Sequence, residues 1–543
     1  LVVDEVQCLM AQASGLPEGR LAPFGHLQKK QLAFRYCPVF TLLLGTQAVA
    51  RDLVRFQVRY LELSTPLPPI IPLEYFDIFP ESKAIFDAGT LFKAFSKECR
   101  SAEFRDYATH LTRLGRPAWS TAPFPAVVQQ VIEMFGFEID SRAMLSKPGW
   151  IALFSAAVGI SITPATTLAS TLVRSWMAWL LSVDAATFSE SYCAYTSEPV
   201  MAVAACCCLF WPGMDESKFA AAVQAIKSYV ATGELDKGEI GEFVCRLLLV
   251  AAMQSRSAIT GPREGWDFGA LPARISLEQL LLNLFGCELG SAPDWLELVL
   301  AHIRQEYRSA WVSFSHFTFT YIKSEDFGLS RDLLLQAMTR NAAIMTPMRF
   351  PGLDAVIPYV ARARNGEFRV GYVGVQFKNL ATPSIHTPWK ISTGMFSNRQ
   401  VGEGVDNIVN LTMQVGSVDA SEQALSLGSQ VHVPNREIPP QDAAFRCLHW
   451  SRSVVVMELQ PHLAASVEGP VPHYIHANGL SLFTSSLPPM QAATEKDLFV
   501  ILSAEQNYIE FLLKNRTGPT DLYRTESELL SDVNRLFPFR QFQ

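Results

Sequence analysis

The chain has 543 residues, enough for about three or four domains, and 49% of them are apolar against 18% charged. That balance excludes an intrinsically disordered chain. A formal net charge of −7 excludes a protein that coats nucleic acid by bulk positive charge, while leaving room for a local basic cleft.

Two long uncharged runs raise the question of a membrane. The longer, between Lys147 and Arg174, carries Ser155, Ser161, Thr163, Pro164, Thr166 and Thr167 and is too polar to span a bilayer. The shorter, from Pro199 to Met214, ends in Trp211-Pro212-Gly213, and both read as buried helices; no membrane partner is expected. Ten cysteines are scattered without a CxxC pair. Cys206, Cys207 and Cys208 would point in different directions on a helix, which a single tetrahedral site cannot use. They read as reduced, buried thiols of a reducing compartment.

Taken in chain order, Leu1-Val2-Val3-Asp4-Glu5 is an apolar run closed by two acids, the pattern of a Walker B strand. Asp4 would hold Mg²⁺ and Glu5 would polarise an attacking water. The chain opens inside this run, which reads as the remainder of a longer gene product. Pro38 to Leu44 is a second buried-strand run, ending in Gly45-Thr46-Gln47, where Thr46 fits the polar sensor position of an ATPase sheet. Arg113 or Arg116, beside Gly115 and Pro117, fits a lid arginine that reads a nucleotide phosphate. The sequence contains no GxxxxGK[ST] loop, and that loop supplies the phosphate cradle and lysine. ATP is therefore expected as a cofactor only in a longer form that carries it.

Residues from about 125 to 300 show apolar spacings of three, four and seven, as in Val127, Val128, Val131 and Ile132, and read as helical. No His, Asp or Glu cluster at ligand spacing stands out there. From Trp311 the pattern turns to alternation. Trp311 to Thr320 reads as one half-buried strand, with His316 as a structural histidine. Ser330 caps a helix to about residue 341, and Ala342 to Met345 is a short strand. Leu353 to Val360 and Phe368 to Asn379 form a hairpin across Ala361–Gly366. A helix is expected near 403–413 and a strand from Arg452 to Glu458. Gly416 to Asp442 reads as a long loop, and His473 and His476, three apart, as loop residues.

The hairpin places Asp354 on one strand, and Gln376 and Lys378 on one face of the next. This is the D…(E/Q)xK signature of the PD-(D/E)xK restriction-endonuclease-like fold. Asp354, Gln376 and the Phe377 carbonyl would ligate Mg²⁺, and Lys378 would hold the attacking hydroxide. The helix acid of such a site is sought in Glu325, Asp326 or Asp332, with Asp332 preferred because it lies on the helix.

The order of these pieces resembles the Crinkler (CRN) and RHS-type effector-like proteins of fungi and oomycetes. The resemblance rests on Leu1–Glu5, Gly45-Thr46, Leu114–Pro117, Ser197–Val200, Leu353-Asp354 and Val375–Asn379. It implies an α/β multidomain protein. Residues 1–145 would be the C-terminal part of an AAA- or STAND-like P-loop ATPase, 146–310 a helical connector, and 311–543 an αβββαβ nuclease-like domain. The implied activity is Mg²⁺-dependent cleavage of nucleic acid, DNA foremost, by an effector or toxin regulated by its ATPase. The implied location is the nucleus, or secretion followed by entry into a host nucleus, and the ATPase unit would self-associate. The alternatives are a nuclease-fold scaffold that binds DNA or protein without cutting, and a regulatory ATPase whose C-terminal third is an interaction module.

Overall fold

The computed structural model describes residues 2–3, 42–43, 85–96, 101–137, 145–164, 166–183, 191–195, 197–210, 216–254, 272–319, 327–347, 350, 352–379, 404–416, 445–450, 453–459, 469–484, 497–498 and 500–506. At the N-terminus, β1 (Val2–Val3) and β2 (Leu42–Leu43) pair in parallel, Val2 opposite Leu42. The expected nucleotide residues Asp4, Glu5 and Thr46 lie outside the described residues, as do Glu325, Asp326 and nearly all of the loop expected over 416–442.

The helical half comprises α1 (Ala88–Ser96), α2 (Ala102–Leu111), α3 (Phe124–Met134), α4 (Lys147–Ala157) and α5 (Thr167–Ser175). After the hairpin of β3 (Trp179–Val183) and β4 (Ser191–Ala194) come α6 (Pro199–Phe210), α7 (Glu216–Thr232) and α8 (Ile240–Met253). Polar side chains start three of these helices as the orphan amides of a first turn require. Ser101 accepts from Phe104 N, Ser146 from Gly149 N and Thr166 from Ala169 N. Every residue of α6 is buried, Cys206, Cys207 and Cys208 included, because a helix apolar on all sides has no face to offer water. The thiols of Cys193, Cys206, Cys207, Cys208, Cys245 and Cys287 are free. Among the described residues no helix is long and apolar enough to cross a membrane.

The rest of the chain builds a mixed sheet of ten strands. β5 (Ile275–Ser276), α9 (Leu277–Leu284), α10 (Asp294–Glu306), β6 (Tyr307–Val312) and β7 (His316–Phe319) precede α11 (Arg331–Thr339) and β8 (Ala342–Met345). β9 (Ala355–Ala363), β10 (Phe368–Lys378), β11 (Val405–Gln414), β12 (Phe445–Trp450), β13 (Val454–Leu459), β14 (His473–Asn478) and α12 (Ser481–Thr484) follow. The strand order is β12-β13-β14-β11-β10-β9-β6-β5, with β8 beside the start of β9 and β7 beside β8. β10, β11 and β14 run parallel, whereas β9 is antiparallel to β6, β8 and β10. The molecule is thus a mixed α/β protein.

Three expectations are corrected. Residues 405–414 form a central strand, not a helix: Val405, Ile408, Val409, Leu411 and Met413 are all buried between β10 and β14. Trp311 to Thr320 is not one strand, because Ser313 to Ser315 breaks it into β6 and β7, which pair with different partners. His473 and His476 lie on β14, where an odd offset sends them to opposite faces, so they cannot share a metal. The boundary drawn at 145 falls just ahead of α4, and that at 310 falls inside a strand. The second cuts β6, and α1 and α2 pack on the large sheet, with Phe92 against Phe368 at 5.2 Å and the Tyr107 hydroxyl donating to the Met338 carbonyl at 2.8 Å. One core joins residues from Ala88 to Leu502.

His316 has the structural place expected of it. It is buried, with Nε2 2.7 Å from Ser197 Oγ and Nδ1 3.1 Å from Ser315 Oγ, and burial pushes its pKa down to about 3. A histidine depressed below its unfolded value stabilises above pH 6.5 and loses that contribution as the pH falls. The wild-type thermal midpoint should therefore drop on acidification from pH 6.5 toward 4, and His316→Gln should flatten that decline. Close packing in the sheet gives a second expectation. A Cβ at Gly371 would fall within the ring and hydroxyl of Tyr359, with the Asp406 carbonyl 2.7 Å away. Gly371→Ala should cost about 1–3 kcal/mol of stability, read by urea denaturation.

Candidate active site

The hairpin that carries the expected residues is built as the sequence implies. β9 and β10 pair antiparallel from Phe368–Arg362 to Val375–Ala355, and Asp354 is the residue immediately before β9. Its amide donates to the Val375 carbonyl at 2.9 Å. Its Oδ2 accepts from Phe377 N at 2.7 Å, so the carboxylate stands in for a main-chain acceptor where the ladder ends. On the other side of β10, the Lys378 carbonyl accepts from Val415 N at 2.9 Å. Alternation along the strand therefore turns the Phe377 amide and carbonyl toward Asp354.

Gln376 and Lys378, two apart on β10, share a face. Gln376 is 8% exposed, and its Oε1 is buried with no hydrogen-bond donor among the described residues. Lys378 is half-buried and exerts its charge on Asp354. The parallel register sets Thr412 beside Gln376 and Gln414 beside Lys378, and on β14 it sets His476 beside Thr412 and Asn478 beside Gln414. His476 Nε2 lies 2.8 Å from Asn478 Oδ1 and 3.4 Å from Gln414 Oε1. Burial, with Lys378 nearby, brings its pKa down to about 4, so the ring is neutral. A polar row thus crosses the C-terminal ends of three parallel strands, the edge at which open α/β sheets commonly place ligands.

The helical half contributes charges that the sequence did not reveal. Glu242 and Arg246 stand one turn apart on α8, with Arg246 Nη1 3.4 Å from Glu242 Oε2. Arg246 is 0% exposed and donates to the carbonyls of Val158 and Gly159 at 3.1 and 2.9 Å, closing the C-terminal end of α4. Glu242 and Asp354 act on one another electrostatically. Burial holds both carboxyls above the usual range, with Arg246 and Lys378 opposing the shift. Asp332, by contrast, is exposed in the first turn of α11, behind the Ser330 cap that accepts from Leu333 N. The acid brought into the field of Asp354 is therefore Glu242, from a region in which the sequence showed no chemistry.

Of the two arginines read as nucleotide sensors, Arg113 is exposed. Arg116 is committed elsewhere: Nη1 lies 3.6 Å from Glu198 Oε1, Nη2 donates to the Met177 carbonyl at 2.5 Å, and the guanidinium stacks 4.6 Å from the Trp179 ring.

The residues around Asp354 suit a hard cation in kind. Among the described residues, no three His, Cys, Asp or Glu side chains come together to hold a metal. The donors here are instead a carboxylate, a carboxamide and a main-chain carbonyl, all oxygen. The lone Gln376 Oε1 is the observation that fits: a buried acceptor without a donor is costly unless something positive meets it.

Comparison with known proteins adds one finding. A family model described as "Domain of unknown function (DUF8736)" matches residues 140–402, a stretch that contains Glu242, Arg246, Asp354, Gln376 and Lys378 and stops just ahead of β11. No curated protein and no solved structure matches the chain.

Proposed function

We propose that the β9–β10 hairpin carries a Mg²⁺-dependent phosphodiesterase centre that cleaves nucleic acid, DNA foremost. The observation that carries this reading is the Asp354 carboxylate seated on the Phe377 amide, between Gln376 with its unmet oxygen and Lys378. The order α11, β8, β9, β10, then β11 parallel to β10 supports a restriction-endonuclease-like arrangement. Asp354 Oδ, Gln376 Oε1 and the Phe377 carbonyl would hold the cation. When bound, Mg²⁺ supplies positive charge for the phosphate oxygens and lowers the pKa of a coordinated water. Lys378 would orient the attacking water and neutralise charge building on the phosphate. Glu242, half-buried on α8, adds a second carboxylate able to take up a proton. Regulation by an ATPase unit belongs to the same proposal, and the parallel pairing of β1, which ends just before Asp4, with β2 supports a P-loop-type sheet.

The second reading is a scaffold of the same fold that binds DNA or protein without cutting. Gln376 favours it, since a carboxamide in place of a carboxylate gives the site one negative charge fewer. Incubating the purified chain with linear and supercoiled DNA, in Mg²⁺, Mn²⁺, Ca²⁺ and chelator, separates the two. Cutting in Mg²⁺ or Mn²⁺ alone supports the nuclease; binding without cutting in every metal supports the scaffold.

A further inference from the structure

A buried carboxylate on the helical segment 500–506 stands beside the proposed centre without being one of its ligands. Glu505 is 4% exposed. Its Oε2 accepts two hydrogen bonds, from Gly241 N and from Asn379 Nδ2, each at 2.6 Å. Gly241 directly precedes Glu242, and Asn379 directly follows Lys378. One carboxylate oxygen therefore ties together the two segments that carry the acid and the lysine of the proposed centre.

The surroundings are built to hold this junction. Asn379 Nδ2 also donates to the Leu502 carbonyl at 3.0 Å. Its Oδ1 accepts from Gln506 Nε2 at 2.9 Å, and that nitrogen also donates to the Gly416 carbonyl, just past β11, at 3.1 Å. Only glycine fits at 241, where a Cβ would lie 2.5 Å from Asn379 Cβ and 2.9 Å from Glu505 Oε2. The Gly241 amide belongs to the first turn of α8, where a carboxylate also meets the positive end of the helix. Ahead of this segment, Asp497 pairs with Lys227 Nζ at 2.8 Å.

We infer that Glu505 is a positioning residue: by bridging Gly241 and Asn379 it fixes the placement of Glu242 relative to Lys378, and makes the C-terminal segment part of the site. This rests on the phosphodiesterase reading for its purpose, but not for its geometry. Burial is the main reason the Glu505 carboxyl titrates near 7, with the carboxylates of Glu242 and Asp236 raising it further and the two donors opposing. The bridge therefore persists with or without the proton, since Oε2 remains an acceptor in either form.

Two readouts on the full chain test it. In hydrogen–deuterium exchange, Glu505→Ala should speed exchange on the order of tenfold in both 241–243 and 376–379, as expected for the loss of two buried hydrogen bonds. Glu505→Gln, whose amide oxygen still accepts, should restore most of the protection. Asn379→Asp, which replaces the donor by a like charge, should reproduce the Ala result in a protein with intact packing elsewhere. In a titration with Mn²⁺ alone, the Ala variant should bind roughly tenfold more weakly and the Gln variant near the wild type. Faster exchange in only one of the two segments, or in neither, overturns the bridge. Unchanged Mn²⁺ affinity in Glu505→Ala overturns its positioning role. A wild type that binds no Mn²⁺ refutes the phosphodiesterase reading, and the exchange arm then still decides the bridge.

Discussion

Asp354→Ala and Lys378→Ala should each lower DNA cleavage by about 10³-fold or more, while the thermal midpoint moves by only a few degrees. The magnitude follows from the role proposed for each side chain at this centre. A lost charge-stabilising contact there is worth about 3–4 kcal/mol of barrier, or two to three powers of ten, and removing a metal ligand adds to that. Asp354→Asn separates structure from chemistry, because the carboxamide can still accept from Phe377 N and so preserves the end of the β9–β10 ladder. It should fold like the wild type and cut almost as poorly as Asp354→Ala. Gln376→Glu should keep or raise activity by giving the cation a second carboxylate, whereas Gln376→Leu should fill the same space, remove the unmet acceptor and lose metal affinity. Cleavage at wild-type rate in both Asp354→Ala and Lys378→Ala would sink the assignment.

How much of this was legible in the sequence depended on whether each signal was local. Ser330 caps its helix, Ala342 to Met345 is a strand, and the hairpin around Asn365-Gly366 brings Asp354 beside Gln-Phe-Lys, all as local rules imply. The misreadings occur where tertiary context decides. Residues 405–414 are buried on both faces, so the alternation that marks a half-exposed strand is absent and spacings near three and four suggest a helix. His473 and His476 sit after prolines that point to a loop, yet pairing with β11 and β13 makes them strand residues. Glu242 and Arg246 have the spacing of an ordinary surface pair on a helix, and nothing local says that α8 docks at the end of β10. Glu505 lies more than 120 positions from Lys378 in sequence, and its role exists only through the fold. Gly241 and Gly416 are close-approach glycines that mark the junction in the sequence, though not its partner.

Arg116, read from its Gly and Pro neighbours as a sensor of nucleotide phosphate, sets up the largest expected loss of stability. Its partner Glu198 is 3% exposed. Oε2 of Glu198 accepts from Trp119 Nε1 at 2.9 Å, Oε1 accepts from Trp179 Nε1, and Arg116 Nη1 completes an ion pair at 3.6 Å. Gly115, with φ of 87°, lets the chain pass where a Cβ would meet Glu198 Cγ at 2.7 Å. Glu198→Ala would take the acceptor from two indole N–H groups and the carboxylate from the Arg116 guanidinium, so it should cost about 3–5 kcal/mol, read as a shifted midpoint in guanidinium or urea. Glu198→Gln keeps one good acceptor for the two indoles and turns its NH₂ toward a donor, so its cost should fall between wild type and Ala. Arg116→Met leaves the carboxylate buried with its indoles but without its cation, and should also destabilise. The double replacement Arg116→Met with Glu198→Leu removes both charges together and should be less destabilising than the sum of the single changes. If Arg116→Met instead left stability unchanged while abolishing nucleotide binding in a longer form of the protein, the guanidinium would be serving nucleotide rather than Glu198.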